Sequence, residues 1–124
     1  MSSNQLASNL FYIHLIHIII IGSLLLYVGI KGKTMPSFMY PTLLVIGILI
    51  LVAHGYSVIS KYRQKNSGLW VNLFHIFIVA PVILLIGIKR EQSPYYLFQF
   101  MIMLGFAAIG YHGYFMIKEL MNNE

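Results

Sequence analysis

Inside the apolar stretches of this sequence, histidine is the side chain equipped for chemistry. His17, His54, His75 and His112 fall one in each of four long runs of aliphatic and aromatic residues. His75 and His112 stand 58 residues after His17 and His54, and both His54 and His112 open the tripeptide His-Gly-Tyr. Neutral imidazole is the commonest metal ligand in proteins and titrates near neutral pH. Four such nitrogens suit zinc or copper, and two on facing helices can hold a haem b. A ring of them can also relay protons or gate a narrow pore.

Other chemistries lack their groups. The sequence contains no cysteine and no aspartate, and its three acids, Glu91, Glu119 and Glu124, are read as lying in loops or ends. Carboxylate-bridged metal sites and paired-carboxylate catalysis have no ligands here. Ser23, Ser57 and Ser60 offer hydroxyls with no acid to complete a triad. No glycine loop that cradles phosphate occurs. No catalytic residue is assigned, and the reading favours a binding or structural protein over an enzyme.

The elements that must position the histidines follow from composition. Hydrophobic residues make up 59% of the chain and charged residues 9%, with a mean hydropathy of +0.80. A soluble domain needs about a quarter of its residues charged, so the solvent for this chain is lipid. Leu10 to Ile30, Phe38 to Ile59, Leu69 to Ile88 and Tyr95 to Ile117 contain no charged residue. Each is near the ~20 residues a helix needs to cross a bilayer core. The reading is all-α, with transmembrane helices over about 10–31, 37–61, 69–88 and 95–119 in a single membrane domain spanning 1–124. The first run has no basic residue before it and no small-residue cleavage pattern after it, so it reads as a retained helix.

Sliding the sequence by 58 residues brings two halves into register without a gap: repeat 1 over 9–62 and repeat 2 over 67–120. His17/His75, Gly29/Gly87, Lys31/Lys89, Pro36/Pro94, Gly47/Gly105, His54/His112, Gly55/Gly113 and Tyr56/Tyr114 are identical non-aliphatic pairs. Such agreement points to an internal duplication. Each repeat reads as a helical hairpin, with Gly29 and Gly87 at the stop of a helix, a lysine at its negative end and a proline opening the next. Two hairpins form a four-helix bundle with a parallel repeat and both termini on one side of the membrane. Pro41 and Pro81 face Gln99 and Ser23 across the repeat, so any kink they cause is expected to be local.

Depth follows from the rise of a helix. His17 lies about 14 residues, roughly 21 Å, before Lys31, and His54 about 18 residues, roughly 27 Å, after Pro36. The repeat carries His75 and His112 to the same height, so the four histidines form one layer. Symmetry makes His17 with His75, or His54 with His112, an axial pair for a haem, or all four the ligands of a metal. With no acid nearby, the second ring nitrogen must bond a tyrosine, a serine, a carbonyl or water. His14, one turn before His17, faces Asn72 across the repeat and is the asymmetric extra.

Residues around this layer have structural readings beside functional ones. Gly47 and Gly105, two turns before His54 and His112, admit either a flat ligand or a close neighbouring helix. Gly55 and Gly113 are expected where another backbone crosses. Tyr56 and Tyr114, like Tyr12 and Trp70, suit the interfacial aromatic belt. A histidine in a membrane helix also serves as interhelical glue worth ~1 kcal/mol. The competing functions are haem b or metal binding with electron transfer, proton or ion conduction, and membrane scaffolding without a small ligand. Conduction would call for a homo-oligomer, because a four-helix monomer fills its own core.

The net charge of +5 is spread over loops. No basic patch large enough for nucleic acid exists, and the expected partner is the bilayer. Lys31, Lys33, Lys89 and Arg90 on one side balance Lys61, Arg63, Lys65 and Lys118 on the other, so the positive-inside rule ties.

The pattern NLFHIFIVAPVILLIGIK over Asn72–Lys89, with Pro94, Gly105 and Tyr111–Tyr114, resembles small multi-pass membrane proteins of large DNA viruses of algae and protists. The resemblance covers mostly the second repeat. It implies a virion or infected-host membrane and strengthens the scaffolding reading, and it brings no activity with it.

Overall fold

The computed structural model describes residues 3–64 and 68–122. Lys65, counted among the middle-loop charges, and Ser67, the first residue of repeat 2, lie outside them. The fold is all-α, with no strand among the described residues. Four helices are long and apolar enough to cross a membrane: Asn9–Thr34, Met39–Arg63, Leu69–Gln92 and Tyr95–Asn122. The chain is thus a multi-pass integral membrane protein with lipid as its partner. Inside a bilayer each backbone N–H and C=O must bond within its own segment, which a helix achieves.

The helices outrun the apolar runs. Helical structure begins at Ser3 and the fourth helix continues to Asn122, because no proline or glycine interrupts the polar flanks there. The second starts at Met39 instead of 37, because Pro36 opens a tight turn closed by the Met39 N–H on the Pro36 carbonyl at 2.9 Å.

The chain divides into two compact units, one made of the chain up to Lys31 and from Phe98 onward, the other of Gly32–Leu97. The first helix therefore belongs with the fourth, and the second with the third. These units are not the hairpins expected from the sequence; each combines the first helix of one expected hairpin with the second helix of the other.

Inside each unit the helices pack antiparallel on glycines. A Cβ on Gly105 would meet Leu26 Cγ at 2.8 Å, and one on Gly47 would meet Leu84 Cγ at 2.6 Å. A Cβ on Gly29 would come 2.8 Å from the Phe98 carbonyl, and one on Gly87 3.0 Å from the Tyr40 carbonyl. Every residue in the second set lies 58 positions from its counterpart in the first. Buried side chains recur likewise: Leu25 and Ile83, Val28 and Ile86, Tyr40 and Phe98, Leu43 and Met101. Apolar tails offer no hydrophobic drive between membrane helices, so close backbone approach over small residues supplies the attraction.

This packing corrects the reading of Gly29 and Gly87 as helix stops. Both lie inside helices that run on to Lys31 and Lys89, and their missing side chains admit a neighbouring backbone. The chain instead turns at Gly32 (φ 54°) and Arg90 (φ 53°), again a matched pair. Met35 N–H then bonds the Gly32 carbonyl at 3.3 Å, and Ser93 N–H the Arg90 carbonyl at 3.0 Å.

Candidate functional site

Each unit contains one imidazole pair. In the unit of the first and fourth helices, the rings of His17 and His112 stack with centroids 4.3 Å apart and planes 27° from parallel. In the unit of the second and third helices, His54 and His75 stack at 4.1 Å and 10°. The antiparallel register that seats the glycines brings these rings level. The symmetric pairs expected from the sequence, His17 with His75 and His54 with His112, combine residues of different units. Within a unit, the pairing is one histidine of each type.

The backbone around the first member of each pair is unusual. The first helix widens to π geometry over His17–Gly22 and the third over His75–Val79. Such widened turns are rare and frequent at functional sites. Pro81 follows the second of them, but Ser23 follows the first, so proline does not account for the widening. This departure from α geometry recurs at matched positions instead of being local to a proline.

Hydrogen bonds fix the chemical form of the rings. His17 Nδ1 lies 2.7 Å from the Ile13 carbonyl, and His75 Nδ1 lies 2.7 Å from the Val71 carbonyl. A carbonyl only accepts, so in both rings Nδ1 carries the proton. In the neutral ring Nε2 then holds the lone pair. This is the arrangement in which a histidine ligates metal, with its other nitrogen donating to a carbonyl.

The second member of each pair is anchored by a side chain. His54 Nδ1 stands 2.9 Å from Asn72 Oδ1. Asn72 Nδ2 in turn donates to the Gly68 carbonyl at 3.3 Å, which orients the amide so that Oδ1 faces the ring. His54 is therefore the Nδ1–H donor. In the other unit His112 Nδ1 stands 2.9 Å from His14 Nδ1. One of these two rings donates and the other accepts. His14 is thus no extra: it bonds the second histidine of one pair at the position from which Asn72 bonds that of the other. The spacing of three residues to His17 and the alignment with Asn72 were the signals for it.

Aromatic side chains wall the pairs. Tyr111 meets His112 edge-on at 5.2 Å, and Phe74 meets His75 edge-on at 6.2 Å. Glu119 stands near the end of its span, as expected. It lies within the fourth helix, its Oε2 is buried without a hydrogen-bond partner among the described residues, and it is near enough for its charge to act on His14. Its counterpart at the matched position is Lys61, whose Nζ lies 3.5 Å from the Gly68 carbonyl.

The other candidates stand apart from this chemistry. Leucines fill the faces of Gly47 and Gly105, so helix packing accounts for both. Among the described residues no other element crosses at Gly55 or Gly113, where an added Cβ would meet nothing within 4 Å. Tyr56 and Tyr114 are 76% and 61% exposed and point outward, as belt aromatics do. Tyr12 and Trp70 are likewise exposed.

The chain matches no protein-family model, no curated protein and no solved structure.

Proposed function

We propose that this chain is a membrane-embedded metal-binding protein whose ligands are the paired imidazoles, His17 with His112 and His54 with His75. The observation that carries the reading is the Nδ1–H anchor of His17 and His75 on a backbone carbonyl at 2.7 Å. It leaves Nε2 as a donor at the same place in both units. His17 and His75 each bond a carbonyl of their own helix, while His54 and His112 bond a side chain of the neighbouring helix. Electron transfer by a redox-active ion is the activity such a site supports, and with four spans both termini share one side of the membrane.

Neither pair within a unit accommodates haem b. A porphyrin between two axial imidazoles holds them end-on from opposite faces, whereas these rings stack face to face at 4.1 and 4.3 Å. A bare transition ion fits the donor set better.

The test is metal analysis of the detergent-purified protein, with absorption spectra before and after dithionite. Bound metal that falls in His17→Ala and His75→Ala variants is the expected result. A Soret band that sharpens on reduction would identify haem and refute the bare-ion reading. A metal-free protein from metal-replete cells would refute the cofactor reading altogether. Proton conduction and scaffolding would then be separated by pH flux into liposomes.

A further inference from the structure

At one end of the unit of the second and third helices, two residues in contact differ from their counterparts 58 positions away. The first is Arg90. The chain turns at Gly32 and at Arg90 with nearly the same φ, 54° and 53°. Glycine adopts that backbone freely. Arginine is strained there, with ψ at −130°. Such strain persists where the surroundings hold it, and it clusters at ligand clamps and active sites.

The second is Tyr40, which stands where the other unit has Phe98 and is 1% exposed. The Arg90 guanidinium lies over the face of its ring, 5.6 Å from the centroid. An aromatic face attracts a cation at that distance, so the ring is a seat for the guanidinium. The matched place has a phenylalanine and a glycine, with no cation to seat. The turn therefore does not need an arginine in order to close.

Position sets the chemistry of the partner. Arg90 lies near the end of the third span, Leu69–Gln92, which puts its side chain at the level of the headgroups. That side chain is 54% exposed. Lys89 precedes it, and Lys33 lies in the turn Gly32–Thr34 at the same end of the unit. Phe38 and Tyr95 are exposed there too, as interfacial aromatics are. The acid beside it is Glu91, whose Oε2 is 3.9 Å from Arg90 Nε. An exposed pair of that length contributes little, and it leaves the rest of the guanidinium fork to a better acceptor. Phosphate is such an acceptor, because its oxygens match the fork with two parallel charge-assisted bonds.

We propose that Arg90, seated on Tyr40, binds the phosphate of an anionic lipid headgroup, one lipid per chain. The site is separate from the imidazole pairs: His75 lies about 15 residues, roughly 22 Å of helix, before Arg90.

The experiment uses the full-length protein in detergent micelles that contain phosphatidylglycerol and phosphatidylcholine in equal amounts, with bound lipid counted by native mass spectrometry. The expected result is one phosphatidylglycerol held in preference to phosphatidylcholine. Arg90→Gly relieves the backbone and should cut that preference about fivefold, the factor for one basic residue at a headgroup surface. Tyr40→Leu removes the seat and should also lower it. Tyr40→Phe keeps the ring and deletes a buried hydroxyl that has no hydrogen-bond partner among the described residues, so it should bind as the wild type does. Arg63→Gln removes one charge at the far end of the second helix and should change nothing.

Equal losses in Arg90→Gly and Arg63→Gln would show diffuse attraction by net charge and overturn the site. A preference unchanged in Arg90→Gly or Tyr40→Leu, or lost as fully in Tyr40→Phe as in Tyr40→Leu, would overturn the seating of Arg90 on the ring. Displacement of the lipid by inorganic phosphate at matched ionic strength would overturn the assignment to a lipid. A wild type with no preference would sink the proposal.

Discussion

Asn72→Ala isolates the anchoring of one imidazole. Asn72 is 4% exposed, and its amide joins His54 Nδ1 at 2.9 Å to the Gly68 carbonyl at 3.3 Å. Alanine removes both bonds. Hydrogen bonds between membrane helices average about 0.6 kcal/mol and reach about 1.7. The Gly68 bond is long, and Lys61 Nζ also approaches that carbonyl. The summed loss of stability is therefore about 1–2 kcal/mol, dominated by the His54 contact. Loss of such a partner lowers metal affinity about 10–100-fold, or about 1.4–2.7 kcal/mol. The effect should be confined to the site of His54 and His75. Position 14 supplies the control, since a histidine there bonds His112 from the matched position, and Asn72→His should recover most of both losses. Stability is read from helicity during SDS titration in mixed micelles, and affinity from chelator competition. If Asn72→Ala matches the wild type in both assays, or if Asn72→His is no better than alanine, the anchoring argument fails.

Two further predictions concern the frame that holds the rings. Gly29→Ala puts a Cβ 2.8 Å from both Ile102 N and the Phe98 carbonyl. Overpacking of about 1–3 kcal/mol should then outweigh the ~1 kcal/mol that alanine gains in helix propensity. Gly55→Ala meets nothing within 4 Å and should be neutral or stabilising by up to ~1 kcal/mol; equal SDS-unfolding midpoints for the two variants would refute the packing role of Gly29. Arg90→Gly relieves a φ of 53° with ψ −130°, worth about 1–3 kcal/mol. It also forfeits the guanidinium 5.6 Å from the Tyr40 ring centroid, worth about 0.5–1 kcal/mol. A rise in the unfolding midpoint is expected, and a fall would show that the ring contact outweighs the strain.

Four histidines were legible in the sequence because an ionisable residue in an apolar run has no background to hide in. Lys31 and Lys89 end their α segments as read. The glycines were misread for a physical reason. Gly29 near a helix end has the same sequence signature whether it caps the helix or admits a neighbour, and only the carbonyl of Phe98 beside it distinguishes the two. Glu119 was read at the end of its span and lies near the end of the fourth helix, but the burial of its Oε2 was not legible.

What the sequence determined alone is what depends on the chain and the bilayer: four helical spans, the turns after Lys31 and Lys89, and at least one histidine in each span. Length and apolarity suffice for that, because each helix satisfies its own backbone. The pairing of helices was left to the tertiary structure. Lipid tails are as apolar as leucine, so hydropathy gives no reason for the first helix to prefer the fourth or the second the third. That choice rests on the fit of Gly105 to Leu26 and of Gly47 to Leu84. It determines which histidines share a unit, and with them the roles of His14 and Asn72.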